Sequence, residues 1–445
     1  MEVFSVGGYS EVGKNMTAIK TGEDVFLFDA GFHIPSVIEL QEQKVKDYGE
    51  KQLRQKGAVP DDLILDKLGL RDKVRAIFLS HGHLDHVGAI PYISYRYNAP
   101  VIGSPFTIAF MKRILEDEGK KISNRLITIN ENSSYNIKGK SSEYTAELIH
   151  MTHSIPHTTM TALHTPEGVV VYGNDFKIDY TPVMESPPNF NALKKISKEG
   201  IKVAIIDSLY CGSETKTPSE NVARNMVKDI FAGMHGNKNA IFISTFSSHI
   251  ARIKSIIDFG KKLDRNIVFL GRSLHKYFLA AHDAKIIELR NMVRLVTYRN
   301  QVISMLKKIN NEREKYLVVC TGHQGEPGSV LDRLSRRKLP FDFRKADNLI
   351  FSSKTIPVPI NIENKGNMDK RFKKFGVRIF DEVHVSGHGG REDIRELIGL
   401  LNPEHLIPSH GSYQQLLPMK ELGKEMGYKF EKDFHLMHDG QKIEI

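Results

Sequence analysis

The stretch that decides the fold is SHGHLDHVGAIP, Ser80–Pro91. It follows the apolar run VRAIFL, Val74–Leu79, and sets His81, His83, Asp85 and His86 within six residues before Gly88. An apolar run of this length ending in a polar loop reads as a buried strand. Imidazoles and carboxylates converging off a strand end are the donors that hold divalent transition ions. His81 and His83 alternate off the strand, and Asp85 and His86 follow one turn later, so one loop offers ligand pairs to two neighbouring ions.

The same context recurs along the chain. VFLFDAG, APVIGS, AELIHMTHS, GVVVYGNDF and KVAIIDS each read as a strand closing on a loop that carries histidine, aspartate or glycine. His153, Asp175, His388 and His410 all follow such runs. Two ions close together need a shared carboxylate to offset their repulsion and can activate a water between them. Asp175 is the expected bridge, with His81, His83 and His153 on one ion and Asp85, His86 and His410 on the other. The donor set suits Zn²⁺ or Mn²⁺.

From Thr217 onward strands and helices alternate, beginning with a helix opened by a Ser219 cap, which predicts a parallel sheet covered by helices. After about Asn361 the pattern of the first part returns in EVHVSGHGG, REDIRELIGLLN and HLIPSHG. Two separated segments, 1–208 and 351–445, are therefore expected to build one domain, with 209–350 inserted. The charged stretch Glu39–Asp66 reads as an irregular or helical excursion.

Bulk properties fit a globular chain: 445 residues, 40% hydrophobic and 26% charged. The net charge is +10, and it is unevenly placed. Residues 209–350 hold 25 Lys/Arg against 13 Asp/Glu, and the remainder 38 against 40. That segment is either a solvated basic face or the footprint of an anionic polymer. No run of about 18 apolar residues is present for a membrane span, and the N-terminus lacks a secretory layout; a cytoplasmic protein is expected. Cys211 and Cys320 read as buried thiols rather than a disulfide. GYSEVGKN, Gly8–Asn15, imitates a phosphate loop, but Asn15 stands where a hydroxyl would hold Mg²⁺, and glycine-rich turns beside a metal site account for it better.

His81, His83, Asp85 and His86 together resemble the H-x-H-x-D-H signature of the metallo-β-lactamase superfamily. The resemblance implies an α/β fold, an αβ/βα sandwich, and makes Asp29 a support of the histidine loop rather than a ligand. The chain is further similar to β-CASP nucleases, whose inserted α/β domain has a parallel sheet flanked by helices. In that likeness Asp207, His388 and His410 occupy three motif positions, and the histidine at 410 points to RNA-directed members. Within them it resembles the ribonuclease J family in its short archaeal form, through GGYSEVGKNM, HSIP, STFSSHIARI, GRS, TGHQGEPGS, SSKTIP and HVSGHGG. It departs from the usual pattern at His157, where aspartate is common, at His323, where serine is, and in PSHGSY.

The implied activity is 5′–3′ hydrolysis of single-stranded RNA, with two divalent ions and a homodimer. Asp85, Asp207 and His388 are the expected catalytic residues. His388 is read as the general acid held by Asp207, or as a phosphate binder. RNA contacts are expected from Ser247, Ser248 and His249 at a strand-to-helix passage. Arg272, His323, Gln324, Ser353 and Lys354 are expected beside them, and His384, Ser386, Gly387 and Gly389 as a phosphate nest. The rival readings are an endonuclease of the polyadenylation-factor type, a non-catalytic RNA scaffold and a small-molecule hydrolase.

Overall fold

Phe26 and Phe28 alternate along one short strand and turn the same way, and the same period of two organises the core around them. The structure, a computed structural model, describes residues 1–42, 48–288, 293–356 and 359–445. It divides into two compact units: 1–180, 185–217 and 387–445 form the first, 181–184 and 218–386 the second.

The first unit holds two sheets. One runs in the order Gln441–Glu444, Glu2–Gly7, Met16–Thr21, Asp24–Phe28, Val74–Leu79, Val101–Gly103, Leu126–Thr128. The other runs His405–Ser409, Ile201–Asp207, Gly168–Gly173, Thr159–Thr165, Glu143–His150, Ser133–Lys138. A single buried cluster contains Phe26, Phe28 and Phe78 from the first sheet and Leu148, Tyr172, Ile205 and Ile407 from the second, so the sheets face each other. Helices Phe190–Glu199, Arg391–Leu401 and Pro418–Glu425 cover the outer face of the second sheet, burying Leu193, Leu397 and Leu422 against Ala204 and Ile206. Helix Pro105–Asp117 lies outside the first sheet, with Ile108 against Gly103. This is the expected four-layer sandwich.

The second unit is a six-stranded sheet in the order Arg294–Val296, Asn266–Leu270, Tyr316–Cys320, Ile241–Ser244, Asn348–Phe351, Arg378–Phe380, every pair parallel. The helix Glu220–Ala232 is capped by Ser219, whose Oγ accepts from Asn221 N–H. Here the division differs from the expected return at 351. Arg378–Phe380 pairs with Asn348–Phe351, and helix Pro359–Lys374 buries Met368 and Phe372 in this unit's core. The helix is mostly polar along its length, and EVHVSGHGG forms no strand, so the segment's allegiance rests on contacts far apart in sequence.

The excursion Glu39–Asp66 contains helices Glu50–Gln55 and Leu63–Lys67, while 43–47 lie outside the described residues, as does Pro357 of SSKTIP. Both cysteines are free and buried. Among the described residues no helix is long and apolar enough to cross a membrane.

Candidate metal centre

Every expected ligand lies in the first unit, on segments that leave strand ends, Asp85 and His86 within the one-turn helix Leu84–Val87. Val74–Leu79 leads into His81–His86, Glu143–His150 into His153, Gly168–Gly173 into Asp175, and His405–Ser409 into His410. Asp29, Asp175 and His410 have left-handed backbones, with φ of 60°, 53° and 66°. Non-glycine residues in that region cost roughly 1 kcal/mol or more each and collect where function holds them. Gly31 is required for another reason: a Cβ there would lie 1.5 Å from the Asp85 carbonyl oxygen, so only glycine lets the DAG turn pass beneath the histidine loop.

Two groups of donor atoms result, each within 4.8 Å of one another: His81, His83, His153 and Asp175, and Asp85, His86, Asp175 and His410. Asp175 belongs to both. Its Oδ2 lies 3.4 Å from His81 and 3.6 Å from His153 Nε2, and its Oδ1 lies 3.2 Å from His86 Nε2 and 3.5 Å from His410 Nδ1. Oδ1 is buried without a hydrogen bond. His83 Nδ1 meets His81 Nε2 at 3.0 Å and His153 Nε2 at 3.3 Å. Crowded imidazole nitrogens around a buried carboxylate oxygen are a donor set that a divalent cation satisfies, so the residues fit the group that the fold implies.

Surrounding groups fix the rings. His86 Nδ1–H donates to Asp29 Oδ2 at 2.7 Å, and Asp29 also accepts from Ser80 N–H and Oγ–H, each at 2.8 Å. His153 Nδ1–H donates to the Gly387 carbonyl at 2.7 Å. In both cases Nε2 is left to face the cluster, the usual orientation of a ligating histidine. Asn15, missed as a site residue, is 1% exposed and joins the two ends of the chain. Its Nδ2 donates to Asp85 O at 3.0 Å and sits 3.1 Å from His86 Nε2, while its Oδ1 accepts from His410 Nδ1 at 3.0 Å. The chain runs from Asn15 straight into the strand Met16–Thr21, so the phosphate-loop likeness has no helix behind it.

Burial, with repulsion from neighbouring imidazoles, drives His81, His83 and His153 well below the usual histidine range. Burial would raise Asp175, but His410, His86, His388 and His81 hold it far below the carboxylate range. Burial opposes charge on His86, yet Asp175, Asp85 and Asp29 push it well up. His388 is likewise raised to about 9 against its burial, by Asp207 first and Asp175 next. Its Nδ1–H donates to Asp207 Oδ2 at 2.7 Å, Leu209 N–H donates to Asp207 Oδ1 at 3.0 Å, and its Nε2 lies 3.9 Å from Asp175 Oδ2. Tyr210 packs on the ring, 5.7 Å between centroids.

The expected RNA contacts divide between the units. In the second, the loops after Ile241–Ser244, Asn266–Leu270, Tyr316–Cys320 and Asn348–Phe351 bring Ser247, Ser248, Arg272, His323, Gln324, Ser353 and Lys354 to the carboxyl edge of one parallel sheet, where such sheets bind ligands. Ser247 Oγ and Ser273 Oγ are 2.9 Å apart. His323 stacks edge-on to Phe246 at 4.3 Å, and His384 lies 5.7 Å from the same ring. Gln324 braces the loop, its amide donating to Lys354 O and accepting from Ile356 N–H. His249 departs from the expectation: it is 2% exposed with Nε2 3.2 Å from Glu220, in a buried group with Arg252. Ser386 is the last residue of that unit. In the first unit, Gly389 is not available to a phosphate nest, because its N–H donates to Phe176 O at 2.6 Å.

Residues 10–181 match the family model of the metallo-beta-lactamase superfamily, and 377–432 that of a Zn-dependent metallo-hydrolase RNA specificity domain. Residues 238–367 match the model described as Ribonuclease J, beta-CASP domain. Fold and site together define a metallo-β-lactamase-type hydrolase with a β-CASP insertion. A Ribonuclease J of Methanocaldococcus jannaschii is 40% identical over 99% of this chain and 98% of its own, and one of Pyrococcus abyssi is 37% identical over 100% and 97%. The chain belongs to the ribonuclease J family. A solved structure of a protein of unknown function from Enterococcus faecalis V583 shares the fold, with a TM-score of 0.65 at 16% identity, covering 99% of each chain.

Proposed function

We propose that this member hydrolyses single-stranded RNA from a 5′-monophosphate end, in the 5′–3′ direction, as a homodimer in the cytoplasm. The observation that carries the hydrolytic reading is the sharing of Asp175 by two ligand groups, beside the Asp207–His388 pair. His81, His83 and His153 would hold one cation, Asp85, His86 and His410 the other, with Asp175 common to both and Zn²⁺ or Mn²⁺ as the ion. Such ions supply neutralisation of phosphodiester charge and acidification of water.

The chain's own groups do the rest. Asp29 and the Gly387 carbonyl keep His86 and His153 turned inward. Asp207 accepts from His388 Nδ1–H, which keeps the ring charged and leaves its Nε2–H to protonate the departing 3′ oxygen. Ser247, Ser248, Arg272, His323, Ser353, Lys354 and His384 are the proposed RNA contacts of the second unit, and Gly387 of the first.

Product lengths on end-labelled RNA test the direction. Single nucleotides released from 5′-monophosphate RNA, and far fewer from 5′-hydroxyl RNA, are expected. Internal fragments indifferent to the 5′ end would replace this reading with an endonuclease, and sedimentation tests the dimer.

A further inference from the structure

Away from the shared Asp175, a second kind of cluster sits in the first unit. Glu131 precedes the strand Ser133–Lys138, His157 lies between the strands Glu143–His150 and Thr159–Thr165, and Glu185 comes from the loop before helix Phe190–Glu199. One donor atom from each lies within 4.8 Å of the others. His157 has a left-handed backbone, φ 54°, and its N–H donates to Glu185 Oε1 at 2.8 Å. Its Nε2 stands 3.7 Å from Glu131 Oε2, too far for a hydrogen bond but within the roughly 3–4 Å that separates two ligands of one ion. The ring's other nitrogen, Nδ1, accepts a long hydrogen bond, 3.3 Å, from Phe106 N–H, a bond that is given up when Nε2 takes an ion and the ring proton moves to Nδ1.

His150 completes the arrangement from behind. Its Nδ1 donates to Glu131 Oε1 and its Nε2 to the Ser186 carbonyl at 2.9 Å, so both ring nitrogens carry protons and Glu131 is held in place. Two carboxylates against one imidazolium leave a residual negative charge in a half-buried pocket. Burial, and then the charge of Glu131, push Glu185 up to about 7, which marks the site as short of positive charge. Glu131 and His157 are 18% and 19% exposed, enough for an ion to enter.

We propose that Glu131, His157 and Glu185 form a further divalent-cation site, with His150 as the positioning residue for Glu131. Mixed imidazole and carboxylate donors select a borderline ion such as Mn²⁺ or Zn²⁺. The bound ion ties residues 131, 157 and 185 together and so clamps the loop that begins at His153. Occupancy of this site does not depend on the paired cations proposed above, although the loop it clamps carries His153.

The test is a Mn²⁺ count on the full chain, stripped by chelation and titrated while free Mn²⁺ is followed by paramagnetic resonance. Three ions per chain are expected, falling to two in Glu185→Gln and in His157→Gln. One should survive in a His81→Ala/Asp175→Ala double variant. His150→Ala should weaken that last ion roughly 10–100-fold. A count unchanged by Glu185→Gln and His157→Gln overturns the proposal, a shared proton being the occupant instead. If those variants do not fold, anomalous diffraction at the manganese edge on the wild-type chain decides by a peak, or none, among the three side chains. A wild-type count of one, lost in Glu185→Gln, would sink the paired-cation reading and leave this site standing; two ions lost only in the double variant would do the reverse.

Discussion

Asp175 is the residue on which most of the centre's electrostatics converge. Four histidines lower its carboxyl, and its Oδ1 is buried with no hydrogen-bond donor. Asp175→Asn keeps the volume and removes the charge; bound Mn²⁺ or Zn²⁺ should fall by at least one ion per chain by elemental analysis, cleavage should drop below detection, and RNA affinity should change little. Asp207→Asn acts one step further out. Losing the carboxylate that accepts from His388 should slow turnover roughly 10²–10⁴-fold with metal content intact, and an unchanged rate would remove His388 from the role of acid. The donor cluster of His81–His86, proposed as ligands, was legible because its members lie within six residues. Asn15 was not, since its meaning comes from contacts with residues 70 and 395 positions away.

Among elements, the helix Ile250–Gly260 is anchored by an ion pair rather than by apolar contact alone. Arg252 is fully buried, its Nε and Nη2 donating to Glu220 at 2.6 and 2.9 Å and its Nη1 to Ser352 and Val383. Arg252→Met removes both guanidinium hydrogen bonds from the buried Glu220 carboxylate, leaving it to His249, and should cost about 3–5 kcal/mol in the second unit's denaturant transition.

The turn at Lys140–Ser141 is held to the strand Asp24–Phe28 by Asp24, which accepts from two backbone N–H groups, Ser141 Oγ and Arg75. Burial would raise this carboxyl, but those donors hold it well below its usual value. A depressed native pKa means the stabilisation is complete above the unfolded value of about 3.9 and drains away as pH falls below it. Urea melts of Asp24→Asn should therefore lose less stability than wild type between pH 5 and 3. Buried strands were readable from their apolar runs. The edge strands Ser133–Lys138 and Gln441–Glu444 were not, because their residues are mostly exposed and polar and carry no burial signal.

At the scale of the whole chain, the two-segment plan was readable from the return of glycine- and histidine-bearing loops after the basic insertion. Its later boundary was hidden, since helix Pro359–Lys374 shows only Met368 and Phe372 as apolar anchors for the second unit's core. Cations that bind only the folded first unit stabilise it by mass action, about 2.7 kcal/mol per site at a hundredfold excess over the dissociation constant. Chelation should lower that unit's unfolding temperature and leave the second unit's transition in place, a difference that calorimetry reads directly.

His410 N–H donates to the Gly8 carbonyl at 2.7 Å, and the first strand pairs with Gln441–Glu444. A chain emerging from the ribosome exposes Gly8 early and must wait through some four hundred further additions for the partner that finishes the pocket. On the proposed reading, competence to cut waits until His410 has been made and has folded back onto Gly8.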